Sequence, residues 1–170
     1  MFPAPYPEVF EMSLPESQKT TLVIGIGNPF QGDDGVGVRA AELLANESLP
    51  PGVQVQELGT PGWSLVSVME GWQRVILVDA VKMGAEPGTW RRLVGDQINL
   101  IKDPPSLSLH EPGLAESLDL ACALDLLPGE IVLYGIEPGY IGLQEHLTPP
   151  VAGALPALVN QILEDIWKET

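Results

Sequence analysis

Short apolar runs alternate with longer amphipathic segments along most of the chain. Runs rich in β-branched residues, which predict β-strands, occur at 20–26, 53–58, 74–80 and 130–136. Apolar residues at helical spacing, which predict helices, occur at about 35–46, 62–72, 112–127 and 150–168. Strands that alternate with helices form βαβ units, so the pattern predicts an α/β protein with a parallel sheet.

The strands differ in how evenly apolar they are. Segments 22–26, 75–79 and 131–136 are almost wholly apolar, as is typical of parallel strands covered by helices on both faces. The segment TWRRLV at 89–94 is less apolar, and only about nine residues separate it from the preceding strand, too few for a helical crossover. We therefore expect a three-layer α/β/α sandwich with one antiparallel edge strand.

The first nineteen residues are rich in Pro and Glu and follow neither periodicity. This composition predicts a flexible N-terminal extension over 1–19, followed by a single domain over 20–170. A chain of 170 residues that is 45% hydrophobic is large enough to bury one core.

The charge balance limits the classes of partner. Asp and Glu outnumber Lys and Arg by 23 to 8, giving a net charge of −15, which disfavours nucleic acids and anionic membranes. No apolar run approaches the roughly 20 residues of a membrane span, and the start of the chain does not resemble an export signal. The single cysteine, Cys122, suits a reducing compartment and is expected to be a packed thiol. We expect a cytoplasmic protein whose partners are proteins, metal cations or neutral ligands.

The loop after the first strand has an unusual composition. It reads GIGNPFQGDDGVG over 25–37, with glycines that allow tight backbone and with Asp33 and Asp34 at the start of a helix. Ligands of open parallel sheets bind beyond the carboxyl ends of the strands, where this loop is expected to lie. Asp is also a preferred helix N-cap, but a cap needs only one of the two acids.

A dinucleotide site is an alternative interpretation of this loop. Gly25, Gly27 and the acidic Glu57 resemble the GxGxxG fingerprint, but Phe30 occupies the position of the third glycine. A pyrophosphate there would face both aspartates with only Arg39 nearby, so like charges disfavour nucleotide binding.

Two further polar residues fall in comparable places. Asp79 ends the apolar run VILVDA, and His110 lies in the loop SLHEPGL. A lone loop histidine is more often solvated than a ligand, but two carboxylates and one imidazole from three elements suit Zn²⁺, Ni²⁺ or Fe²⁺.

Standard hydrolase motifs are absent from the sequence. HEPGL lacks the second histidine of the HExxH zinc motif, and GWSLV lacks the second glycine of the nucleophile elbow of serine hydrolases.

The segments GIGNPFQGDDGVG, VILVDA, SLHEPGL and GIEPGYIGLQEHLTPPV together resemble the nickel-iron hydrogenase maturation endopeptidases, in order and at comparable spacing. The resemblance implies a twisted five-stranded sheet and metal ligation by Asp34, Asp79 and His110. It implies an endopeptidase that removes a C-terminal extension from the large-subunit precursor of a hydrogenase after nickel insertion. The loops GTPG (59–62) and GIEP (135–138) match family loops that are expected to shape the substrate groove.

The resemblance leads to several further expectations. The nickel is expected to come with the substrate, while zinc or cadmium would occupy the site in vitro. Asp33, Asp34, Asp79 and His110 are the candidate catalytic residues, with Asp33 as the general base, and a monomer is expected. Some family members carry glutamate where this chain has Asp34. A nickel-sensing chaperone without catalysis and a nucleotide-binding protein remain as alternatives.

Overall fold

A computed structural model describes residues 20–99 and 113–168. These residues form a five-stranded sheet with helices on both sides. The strands are β1 (Thr21–Ile26), β2 (Val53–Gly59), β3 (Arg74–Ala80), β4 (Trp90–Val94) and β5 (Glu130–Ile136). The helices are α1 (Val36–Leu44), α2 (Ser64–Met69), α3 (Asp96–Asn99), α4 (Leu114–Ala123) and α5 (Pro149–Lys168).

The strand order across the sheet is β2-β1-β3-β5-β4. The first four strands in that order are mutually parallel, and β4 pairs antiparallel with β5 from Trp90 opposite Ile136 to Val94 opposite Val132. The three-layer fold and the antiparallel edge strand predicted from the sequence are thereby confirmed. The short connection from β3 to β4 is the physical reason for the reversal, because it holds no crossover helix.

Successive side chains of the central strands enter two separate cores. Val23, Ile76 and Val132 belong to the core on the side of α1 and α5. Leu22, Leu77 and Leu133 belong to the core on the side of α2 and α4. Strand side chains alternate between faces, so an almost wholly apolar strand is stable only when both faces are covered.

Two helices end earlier than the apolar pattern predicted. The prediction of 112–127 for α4 was too long, because Asp125 adopts the left-handed conformation (φ 58) and the amide of Leu126 turns back to the carbonyl of Ala121. The prediction of 62–72 for α2 was too long because Glu70 is extended and Gly71 has positive φ. The expectation of a packed Cys122 was wrong, since this residue is exposed on α4.

Several predictions fall on parts of the chain outside the described residues. They are the flexible extension at 1–19 and the placement of His110. Within the two described ranges, no helix is both long enough and apolar enough to cross a membrane.

Candidate active site

The carboxyl ends of β1 and β3 lie side by side in the centre of the sheet. Gly25 of β1 pairs with Val78 of β3, and Asp79 is the next residue of β3, paired with Gly135 of β5. Beyond β1 the chain forms the glycine-rich loop and a single turn of 3-10 helix over Asp33–Gly35, which leads into α1. The carboxyl edge of the sheet therefore brings the loop with the acid pair next to the end of β3.

Two glycines allow this close approach. Gly27 has φ +125, and a side chain there would overlap the carbonyl oxygen of Asp34. A side chain at Gly37, in the first turn of α1, would overlap the carbonyl oxygens of Val78 and Ile26. The start of α1 thus lies directly against β1 and β3, and it brings Asp34 toward Asp79.

Asp34 is partly buried and is held by its own loop. One carboxylate oxygen accepts a hydrogen bond of 2.7 Å from the backbone amide of Asn28. The other oxygen, Oδ1, accepts no hydrogen bond from the described residues. Asp34 therefore retains acceptor capacity for a ligand at the carboxyl edge.

Asp79 is electrostatically coupled to Asp34. Burial is the main cause that raises the pKa of the Asp79 carboxyl to about 7, and repulsion from the charge of Asp34 raises it further, against a smaller opposing effect of the Ala80 amide. No lysine or arginine of the described chain forms an ion pair with either carboxylate. Two such carboxylates favour a shared cation or a shared proton.

The third predicted ligand, His110, lies outside the described residues, so its distance from this pair is not part of the structure. Among the residues of 20–99 and 113–168, no three His, Cys, Asp or Glu side chains are grouped to hold a metal ion. The second histidine of the sequence, His146, is exposed at the surface.

Asp33 makes very different contacts from those of its neighbour. Its side chain is fully buried and accepts four hydrogen bonds, at 2.7–3.0 Å, from the amides of Gly139, Tyr140 and Thr148 and from the hydroxyl of Thr148. Burial by itself raises the pKa of the Asp33 carboxyl, but these hydrogen bonds outweigh it and hold the pKa below its ordinary value. Asp33 therefore ties the β1–α1 loop to the β5–α5 loop.

A second buried carboxylate, which the sequence did not single out, has a similar structural role. Glu137 follows β5, and its Oε2 accepts hydrogen bonds from the amides of Met83, at 2.5 Å, and Ala85, at 3.2 Å. Met83 and Ala85 belong to the loop that follows Asp79. Asp33 and Glu137 together connect three loops of the carboxyl edge. The motif GIEP contains Glu137, but no periodicity in the sequence indicates its partners.

Comparison with known proteins relates this chain to one family. A family model described as hydrogenase maturation protease matches residues 38–165. The chain is 34% identical over 143 residues to the hydrogenase expression/formation protein HupD of Rhizobium leguminosarum bv. viciae, covering 82% of this chain and 70% of that protein.

Solved structures of similar proteins have the same fold. The hydrogenase maturating endopeptidase HybD from E. coli superposes with a TM-score of 0.79 at 28% identity, over 88% of this chain and 93% of that one. The hydrogenase 2 maturation peptidase from Thaumarchaeota archaeon SCGC_AB-539-E09 is 35% identical with a TM-score of 0.67, over 86% of this chain and 97% of that one.

Proposed function

We propose, because this chain belongs to the hydrogenase maturation protease family, that it removes a C-terminal peptide from the nickel-loaded precursor of a nickel-iron hydrogenase large subunit. Its substrate is then a protein that carries its own metal ion. The family supports proteolysis, and the choice of substrate and the role of nickel are the proposal.

The observation that carries the proposal is the pair formed by Asp34 and Asp79. The two carboxylates come from separate elements, lie at the same edge of the sheet and repel each other electrostatically. Neither is neutralised by a basic residue of the described chain. A divalent cation that arrives with the substrate would relieve this repulsion, so a precursor without nickel would bind more weakly.

Each carboxylate has a distinct role in substrate binding. Asp34 offers its free oxygen from the β1–α1 loop, and Asp79 offers a carboxylate from the end of β3. His110 is the proposed third ligand and would supply the nitrogen donor of a mixed set that suits nickel. When bound, the ion supplies Lewis acidity, which polarises a carbonyl or lowers the pKa of a bound water.

The contacts of Asp33 argue against its use as a general base. Both of its oxygens already accept hydrogen bonds, and its pKa lies below the ordinary value for Asp. A general base works best when its pKa is near the operating pH. We assign Asp33 a positioning role, in which it fixes the loop that presents Asp34.

The proposal is tested with the purified full-length protein and a hydrogenase large-subunit precursor prepared with and without nickel. Mass spectrometry is expected to detect a released C-terminal peptide only from the nickel-loaded precursor. Asp34→Asn and Asp79→Asn each remove one ionisable carboxyl group from the pair and are expected to lower the cleavage rate by about a hundredfold or more. Glu47→Gln changes an exposed carboxylate just beyond the far end of α1 and is expected to cleave at the wild-type rate.

The alternatives give different results. A nickel-sensing chaperone would bind the loaded precursor in a pull-down but release no peptide. Equal cleavage of the nickel-free precursor would contradict the use of nickel in recognition while leaving proteolysis in place.

A further inference from the structure

We propose that four exposed apolar side chains beside the carboxylate pair bind an apolar, uncharged segment of the precursor that adjoins its cleavage site. These side chains, here called the apolar rim, are Phe30, Tyr140, Ile141 and Leu143. The inference rests on the proposed function, since it names the surface through which the same substrate is recognised.

Of the nine large hydrophobic side chains that are exposed among the described residues, four lie on these two segments. Leu143 is 92% exposed and Phe30 is 60% exposed, while Tyr140 and Ile141 are 49% and 42% exposed. Full burial of one such side chain stabilises by about 1.5–3 kcal/mol relative to exposure. Single exposed apolar residues are common, but four on two adjoining segments mark an interaction surface.

The backbone of the apolar rim is fixed by hydrogen bonds between the two segments. The amide of Gln144 donates to the carbonyl of Phe30 at 3.0 Å, and the amide of Gly32 donates to the carbonyl of Gln144 at 2.6 Å. The amide of Asp33 donates to the carbonyl of Tyr140 at 2.9 Å. A surface already ordered in the free protein loses little conformational entropy when it binds a partner.

Charge indicates the chemistry of the partner. The two segments, residues 28–32 and 138–144, contain no Asp, Glu, Lys or Arg, although the chain as a whole carries a net charge of −15. Asp34 follows the first segment and Glu145 follows the second, so an anionic peptide would be repelled, and any charged group held against the four apolar side chains would lose hydration. An apolar and uncharged stretch of polypeptide is the complementary partner.

The apolar rim is continuous with the proposed catalytic site. The amide of Asn28, two residues before Phe30, donates a hydrogen bond to the carboxylate of Asp34. The amide of Asp34 in turn approaches the carbonyl of Gln31 at 3.4 Å. A precursor whose metal reaches Asp34 would place neighbouring residues beside this loop, so the precursor is the proposed occupant of the apolar rim.

The first experiment measures the kinetics of Leu143→Asp with nickel-loaded precursor. Placing a charge on the rim is expected to raise KM by roughly tenfold or more and to leave kcat within about twofold of wild type, because the carboxylate pair is unchanged. Leu124→Asp is the matched control, because Leu124 is 55% exposed at the end of α4, remote from the apolar rim. The KM of this variant is expected to stay at the wild-type value. An unchanged KM for Leu143→Asp, or an equal rise in both variants, would overturn the inference.

The second experiment identifies the occupant directly. A photoreactive benzoylphenylalanine at position 143 is irradiated in the presence of nickel-loaded precursor, and the cross-linked peptides are sequenced by mass spectrometry. Cross-links to an apolar segment of the precursor next to its cleavage point are expected. Cross-links to residues 1–19, to a second copy of this chain or to a charged segment instead would overturn the inference.

Failure of the proposed function is distinguishable from failure of this inference. If wild-type protein releases no peptide, proteolysis of this precursor is excluded. The cross-link at position 143 still reports whether the precursor occupies the apolar rim.

Discussion

Two buried carboxylates organise the loops around the candidate active site. Asp33 binds three amides and one hydroxyl of the segment 139–148, and Glu137 binds two amides of the loop after β3. Both oxygens of Asp33 accept hydrogen bonds, whereas Oδ1 of Asp34 accepts none from the described residues. The neighbouring residues Asp33 and Asp34 therefore have different roles. Asp33 holds the loop in place, and Asp34 is proposed to face the substrate.

Removing the charge of Asp33 is expected to weaken both stability and metal binding. In Asp33→Asn the amide group would meet backbone donors, leaving at least one buried N–H without an acceptor, at a cost of about 2–3 kcal/mol in the free energy of unfolding. Urea unfolding measures this loss. Isothermal titration with nickel, below the unfolding transition, is expected to show weaker binding because the loop that carries Asp34 is released.

Thr148 provides a graded control for this prediction. Thr148→Ser keeps the hydroxyl that donates to Asp33 and is expected to retain wild-type nickel affinity, while the similarly sized Thr148→Val loses that bond and is expected to be intermediate. Equal nickel binding by wild type, Asp33→Asn and Thr148→Val would show that Asp33 does not position Asp34.

The helix α1 depends on direct contact between its backbone and the sheet. Gly37 lies so close to β1 and β3 that a methyl group would overlap two carbonyl oxygens. Gly37→Ala is expected to lower the free energy of unfolding by about 1–3 kcal/mol, because α1 must move away from the sheet. Denaturant unfolding checks this value.

Gly153 is the matched control within another helix. A methyl group at Gly153 of α5 would meet no atom within 4 Å. Gly153→Ala is expected to stabilise by about 0.5–1 kcal/mol, because alanine loses less backbone entropy in a helix. Destabilisation by both substitutions to the same extent would contradict the packing explanation.

The strands were the elements most readily predicted from the sequence. The bounds Arg74–Ala80 and Glu130–Ile136 agree with the apolar runs because strands buried on both faces need continuous apolar residues. Helix ends were less predictable, because α4 is ended by the conformation of Asp125 and not by a change in hydrophobicity. The four-residue helix α3 was missed, since so short a segment has no measurable period.

At the scale of the whole molecule, a network around Asp165 joins α5 to the sheet. The Asp165 carboxylate accepts hydrogen bonds from Arg92 of β4, at 2.5 Å, and from the Tyr134 hydroxyl of β5, at 2.6 Å, and Arg74 of β3 lies 3.8 Å away. Burial alone would raise the pKa of Asp165, but the hydrogen bonds from Arg92 and Tyr134 and the charges of Arg92 and Arg74 hold it below the ordinary value. The network therefore stabilises the fold more strongly when Asp165 is ionised than when it is protonated.

The expected effect on stability follows from the direction of this shift. A carboxyl whose pKa is lower in the folded state contributes stability that is complete above its unfolded pKa, about 3.9, and is lost as the pH falls through the folded pKa. Asp165→Asn is expected to cost about 1–3 kcal/mol at pH 7, and the difference from wild type is expected to shrink below about pH 4. Urea unfolding across this pH range measures both.

Substitution of the adjacent residue Glu164 is the control that distinguishes loss of this network from a general effect of removing one negative charge. Glu164 is exposed, and among the described residues it pairs only with Lys168, at 3.2 Å, so Glu164→Gln is expected to change stability by about 0.5 kcal/mol or less at either pH. A pH-independent difference between Asp165→Asn and wild type would contradict the role assigned to ionisation.

The candidate site was only partly predictable, because some of its residues are placed by a sequence pattern and others by contacts between distant parts of the chain. Asp34 and Asp79 follow apolar strands, so strand order alone predicts that they share one edge of the sheet. The partners of Asp33 are 106 to 115 residues away in the chain, and no local pattern indicates such contacts. The apolar rim has a weak signal, the absence of charge over 138–144, which becomes meaningful only once the loops are paired.

The long separation between Asp33 and Thr148 affects the timing of assembly during protein synthesis. Asp34 and Asp79 leave the ribosome well before the segment 139–148 that anchors their loop. A nascent chain of this length carries both carboxylates before the Asp33 contacts to that segment can form. The loop that presents Asp34 is therefore anchored by Asp33 only after translation has passed Thr148.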